Sequence, residues 1–112
     1  MDVIELLGAL HHQLQADAGP VAPGDLTGAF AIIRRAVEAD PATDRYDRET
    51  LDVIDAKLAT LIAEIEAGVA EPDFKPSRTW VAALGAALYR RQEAAEKAAK
   101  AAASAAPPGT AH

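Results

Sequence analysis

Leu51, Ile54, Leu58, Leu61 and Ile65 follow one another at spacings of 3, 4, 3 and 4 residues, and no other pattern in the chain restricts its fold as tightly. Apolar residues at that period line one side of an α-helix, whereas a strand requires alternation at every second residue. The run predicts a helix from about Asp47 to Ala67, close to 30 Å long at about 1.5 Å per residue. Gly68 follows where a left-handed C-terminal cap belongs. One apolar stripe must be buried against something, so the rest of the chain has to supply helices that cover it.

Three further segments carry the helical period. The first runs from about Asp2 to Ala16, with Val3, Leu6, Leu7, Leu10 and Leu14 on one face, and stops at Ala18-Gly19-Pro20. The second runs from about Asp25, a plausible N-cap, to Ala39, with Leu26, Phe30, Ile33 and Val37 along a stripe. Asp40-Pro41 ends it, because the residue before proline is pushed out of helical geometry. The fourth is predicted to start at Ser77 as N-cap, with Trp80, Val81, Leu84 and Leu88 facing inward. From Arg90 to Ala106 large apolar residues are missing, and Glu93 with Lys97 and Glu96 with Lys100 stand at favourable i,i+4 spacing. Such a stretch stays helical without packing on anything.

No window alternates in the manner of a strand. The expected fold class is all-α: a small up-and-down bundle of about four helices, the third central, with the long C-terminal helix projecting beyond the core. The expected division is a bundle over residues 1–92 and an Ala/Lys/Glu-rich helical extension with a disordered tail over 93–112.

The core has to be modest. Alanine accounts for 28 of the 112 residues, while Leu, Ile, Val and Phe together give 24. A core this small is often completed by a partner or a second copy, so self-association is expected. With no cysteine in the chain, disulfides, thiolate metal sites and cysteine nucleophiles are excluded. No run approaches 18 consecutive apolar residues, and the start MDVIELLGALHH has no basic residue ahead of its apolar stretch. The expectation is a cytoplasmic protein that makes no use of a membrane, and the alanine content suggests a bacterial or phage origin.

Each cluster able to carry chemistry fails on spacing, partners or charge. His11 and His12 are adjacent, so on a helix they point about 100° apart and do not converge on one ion. His11 is expected at the edge of the apolar face and His12 in solvent. Asp44, Asp47, Glu49, Asp52 and Asp55 gather near a helix N-terminus, where the dipole favours carboxylates, with Arg45 and Arg48 interleaved. They read as a solvated, self-compensated face. Ser77 reads as a cap and Ser104 lies in the alanine tail, and there is no glycine-rich phosphate loop. The run ETLDVIDAKLATLI, residues 49–62, resembles the opening helix of helical chorismate mutases. That family brings several basic side chains onto a dicarboxylate inside the bundle; here the run offers Lys57 alone, and no residue role carries over. No enzyme activity, cofactor, metal or small-molecule substrate is expected.

Charge is divided unevenly. Residues 1–74 hold 15 acidic and 5 basic side chains, a formal −10, whereas residues 75–112 hold 6 basic and 2 acidic, a formal +4. The basic set lies on or beside the fourth helix. The leading expectation is a non-enzymatic protein-interaction or assembly module of the bacterial or phage accessory and adaptor type, which self-associates or docks onto a larger protein assembly. Its interface candidates are Leu51, Ile54, Leu58, Leu61 and Ile65 of the seam and Trp80, Leu84 and Leu88 of the fourth helix, since buried aromatics dominate interface energetics. The alternative is an accessory protein that contacts nucleic acid phosphates through Arg90, Arg91, Lys97 and Lys100.

Overall fold

The computed structural model describes residues 2–15 and 21–105. They form four helices: α1 (Val3–Gln13), α2 (Pro23–Ala39), α3 (Arg45–Glu66) and α4 (Lys75–Ala105). Among the described residues there is no strand. The expected stop at Ala18-Gly19-Pro20 and the expected tail at 107–112 lie outside the described residues.

The helices pack as a ring, α1 on α2, α2 on α3, α3 on α4 and α4 back on α1. No helix is central, α3 included: each packs chiefly on two neighbours. Neighbours run antiparallel. Arg78, near the start of α4, donates to the Leu14 carbonyl just past the end of α1, while Val3 and Ile4 share a groove with Leu88 further along α4. The core is one cluster drawn from all four stripes, including Leu7, Leu10, Leu14, Leu26, Ile33, Val37, Leu51, Ile54, Leu61, Val81 and Leu84. Of the first stripe, Val3 and Leu6 are only half-buried.

The helix starts follow backbone needs more than side-chain capping. Asp2 caps α1, its carboxylate accepting from the Glu5 N–H at 2.9 Å. α2 begins two residues before Asp25, at Pro23, with Ala22 in the N-cap position and no side-chain cap. Proline is pre-set for a first helical turn and its missing N–H goes unused there, so Asp25 ends up inside that turn, where the dipole favours its charge. α4 likewise begins at Lys75, with Asp73 accepting the Lys75 N–H at 3.2 Å and the Phe74 carbonyl accepting from Arg78 at 3.0 Å. Ser77 is therefore no cap. It sits in the apolar seam, 1 % exposed, with its hydroxyl unpartnered among the described residues.

α3 has the firmest ends. Asp44 accepts the Asp47 N–H at 2.9 Å and Asp47 accepts the Asp44 N–H at 3.2 Å, a reciprocal capping box that starts the helix at Arg45. At the other end Gly68 takes φ +76°, its N–H reaching the Ile65 carbonyl and the Val69 N–H the Glu64 carbonyl. These two bonds form a Schellman motif, so Gly68 stands where only glycine is unstrained.

The 31 residues of α4 span about 46 Å against about 33 Å for α3, so the excess projects from one end. The radius of gyration, 18.2 Å, exceeds the roughly 13 Å of a compact domain of this length for the same reason. Among the described residues no helix is long and apolar enough to cross a membrane.

Candidate interaction surfaces

The seam that defines α3 is turned inward. Leu51, Ile54, Leu58 and Leu61 are at most 3 % exposed, covered by α2 and α4, and Leu84 and Leu88 are buried opposite them. Ile65 and Trp80 are half-buried against the edge of the core. Six of the eight candidate interface residues are therefore covered by the chain's own fold, and only Ile65 and Trp80 present surface.

The basic residues of α4 separate into two groups. Arg91 turns back onto the start of α3, its Nη2 lying 2.7 Å from Asp47 Oδ2 and 3.7 Å from Asp44 Oδ2. Asp47 is wholly buried, so this ion pair ties α4 to the capping box of α3 at the point where α4 leaves the bundle. Asp47 Oδ1 and Arg91 Nη1 are both buried without a hydrogen-bond partner among the described residues. Asp47 thus departs from the solvated face expected of the acidic cluster. Its neighbours Glu49 and Asp52 are exposed and paired, Glu49 with Arg45 at 2.8 Å and Asp52 with Arg34 of α2 at 2.6 Å. The bond to Asp52, then that to Glu38, raises the Arg34 guanidinium pKa further above its ordinary value.

The position of this pair had a signal in the sequence. Continuing the α4 stripe through Leu84 and Leu88 at spacings of 4 and 3 reaches Arg91, and extending the α3 stripe back from Leu51 and Ile54 reaches Asp47. A basic and an acidic residue on the facing seams of antiparallel neighbours are placed to meet.

Beyond Arg91 every residue of α4 from Gln92 to Ser104 is exposed. This arm extends about 20 Å past its last tertiary anchor. Arg90, Glu93, Glu96, Lys97 and Lys100 share one side of it, leaving Ala95, Ala98 and Ala102 to continue the core-facing seam into solvent. Along its length Gln92 donates to Glu96 at 3.2 Å, and Glu93, one turn on from Tyr89, raises the tyrosine pKa above its ordinary value.

The remaining polar clusters are small. Gln15 Nε2 donates to His11 Nδ1 at 3.1 Å, and His12 and, on α3, Lys57 are exposed. Among the described residues no three His, Cys, Asp or Glu side chains are placed to hold one metal ion. Neither protein-family models, nor curated proteins, nor solved structures give a match to this chain.

Proposed function

We propose that the chain is a non-enzymatic protein-interaction module, a closed helical bundle that presents the exposed length of α4 to a protein partner. The observation that carries this reading is the arm itself: Gln92 to Ser104 is helical and wholly exposed, with its charged residues confined to one side. A helix that needed only solvation has no reason to segregate its charges, whereas a helix that docks on a protein leaves one side free for contact. In the groove between α2 and α3 the Thr27 hydroxyl donates to the Pro23 carbonyl and not to Asp55, the carboxylate that lines the same groove.

The geometry favours protein over nucleic acid. Of the four candidate phosphate contacts Arg91 is engaged with Asp47 and Asp44, and Arg90, Lys97 and Lys100 share their side with Glu93 and Glu96. Three cations diluted by two carboxylates on an acidic body leave little net attraction for phosphates.

The test compares the full chain with one cut after Gln92 as baits in lysate of the native host. The expected result is a protein retained by the full chain and lost with the arm. Equal retention by both baits, or none by either, overturns the reading. A salt-sensitive shift of DNA or RNA at about 50 mM salt would replace it with the nucleic acid alternative.

A further inference from the structure

One side of α4 has a sequence that is complementary to itself when reversed. At helical spacing it opens with Lys75 and Arg78, passes through Ala82, Gly85 and Ala86, and closes with Tyr89, Glu93 and Glu96. About a centre between Gly85 and Ala86, Lys75 corresponds to Glu96, Arg78 to Glu93, and Ala82 to Tyr89. Arg78 and Gly85 are half-buried and the other six are exposed. Tyr89, at 53 % exposure, is among the largest apolar surfaces the chain shows.

The stripe borders a groove of about 260 Å³ between α1 and α4, lined by Ile4, Gly8, His11 and the three small residues of α4. A methyl group built on Gly8 meets nothing within 4 Å, so the groove is open to an approaching helix. Its surroundings carry no formal charge: α1 has none from Leu6 to Gln15 apart from its histidines, and α4 none from Thr79 to Tyr89. Charge is confined to the two ends, Asp2, Glu5, Glu93 and Glu96 at one, where Arg90, Lys97 and Lys100 flank the two glutamates, and Lys75 and Arg78 at the other, with Asp73 bonded to the Lys75 N–H.

We propose that this face binds a second copy of the chain, α4 packing antiparallel on α4, with the two-fold axis lying in the interface at Gly85 and Ala86. The inference rests on the exposed length of α4 being the working surface, uses the side that carries Glu93 and Glu96 and not the charge-free one, and adds the identity of one partner. An isologous contact repeats every pairing twice, so a self-complementary stripe forms two sets of opposite charges at once. Lys75 meets the partner's Glu96, Arg78 meets the partner's Glu93, and Tyr89 lies over the partner's Ala82. Parallel packing would instead set each charge on its own copy. Small residues at the crossing let the helix axes approach to about 8 Å. Beyond Glu96 the arms then leave the dimer in opposite directions and stay exposed.

Elsewhere the acidic body, −10 over residues 1–74, repels a second copy. The stripe is about 32 Å long. With the α1 edge it covers roughly 1,000 Å² in total, the lower limit for a specific interface. The dimer is therefore weak and sensitive to both concentration and salt.

Sedimentation of the full chain from about 10 to about 500 µM, at about 50 mM and about 500 mM salt, tests this, because screening at the higher salt shortens the reach of the end charges. The expected mass rises from 11.7 kDa toward twice that value at low salt and falls back at high salt. Two charge-reversed chains, Lys75→Glu/Arg78→Glu and Glu93→Lys/Glu96→Lys, should each remain monomeric alone and return to the doubled mass when mixed in equal amounts. If loss of the Arg78 bond to Leu14 unfolds the first, the single reversals Lys75→Glu and Glu96→Lys take the place of the two double ones, since their mixture restores the 75–96 pair and leaves Arg78 facing Glu93. A parent chain that stays monomeric throughout, a Glu93→Lys/Glu96→Lys chain that associates like the parent, or a mixture that stays monomeric each overturns the proposal. A monomeric parent that still captures a host protein through the arm overturns the dimer alone and leaves the interaction reading standing.

Discussion

Replacing Arg91 with methionine keeps much of the aliphatic stem beside Leu88 but removes the guanidinium that lies 2.7 Å from Asp47 Oδ2. The carboxylate left behind is 0 % exposed and retains one bond, from the Asp44 N–H at 3.2 Å. Removing one partner of a fully buried pair costs about 3–5 kcal/mol. Because the Arg91 side chain is 32 % exposed, water reaches part of the vacated space, and the expected cost falls to about 2–3 kcal/mol. Asp47→Asn retains an acceptor for the capping box and leaves a cation that water can partly solvate, so its expected cost is about 1–2 kcal/mol. The double variant Asp47→Asn/Arg91→Met has no stranded charge and should lie within about 1 kcal/mol of the milder single variant, a coupling of about 2.5 kcal/mol. Urea unfolding followed by circular dichroism measures all four chains. With a slope of about 1–1.5 kcal/mol per M for a domain this small, the Arg91→Met midpoint should drop by about 2 M. An Arg91→Met chain within about 0.5 kcal/mol of the parent, or a coupling below about 0.3 kcal/mol, would show Arg91 to be an ordinary surface arginine.

Ser77→Ala should stabilise the chain by about 0.5–1 kcal/mol, because it removes a buried hydroxyl that has no partner and puts the best helix former in its place; a loss of stability in the same urea assay would mean that the hydroxyl is bonded. Gly68→Ala should cost about 1 kcal/mol, as it forces a Cβ into φ +76°, and a neutral result would mean that the Schellman turn is not kept in solution. In a Tyr46→Phe background, absorbance at 295 nm should show Tyr89 ionising above the ordinary tyrosine pKa, and Glu93→Gln should lower it toward that value. Since the folded pKa is the raised one, any stability from Glu93 beside Tyr89 is complete at neutral pH and is lost as pH rises through the tyrosine range. A Tyr89 titration indifferent to Glu93→Gln would show that the two side chains do not interact.

The stripes of the four helices were legible because a large apolar residue at 3–4 spacing has one place to go, and Leu7, Leu10, Leu26, Phe30, Ile33, Leu51, Ile54, Val81 and Leu84 are buried as their spacing requires. Helix starts were less so. Asp25 and Ser77 are good capping types, yet prolines at 23 and 76 allow α2 and α4 to begin two residues earlier, where backbone geometry alone suffices. The ring arrangement depends on α4 closing against α1, a contact between the two ends of the bundle that no local pattern encodes.

The candidate surface was legible in part. The change of character after Tyr89 marks the arm, since composition reports exposure directly. What charge counting could not supply was the division within the basic set, because Arg90 and Arg91 are neighbours in sequence and point to opposite fates. Arg91 lies on the seam and finds Asp47, 44 positions back in the chain, only when α3 and α4 dock antiparallel. The α3 seam was legible as a stripe but not as to what covers it: Leu51, Ile54, Leu58 and Leu61 are buried by the chain's own helices.

Amide hydrogen exchange along α4 tests most directly whether the chain is a closed bundle carrying an unpartnered arm. Core amides such as those of Leu84 and Leu88 open only with global unfolding and should show protection of 10³ or more for a domain of about 5 kcal/mol. Past Arg91 the helix is held by propensity alone, so protection should step down to the order of 10 between Glu93 and Ser104. Uniform protection from Leu84 through Ser104 would contradict the arm and place its surface in contact with something else.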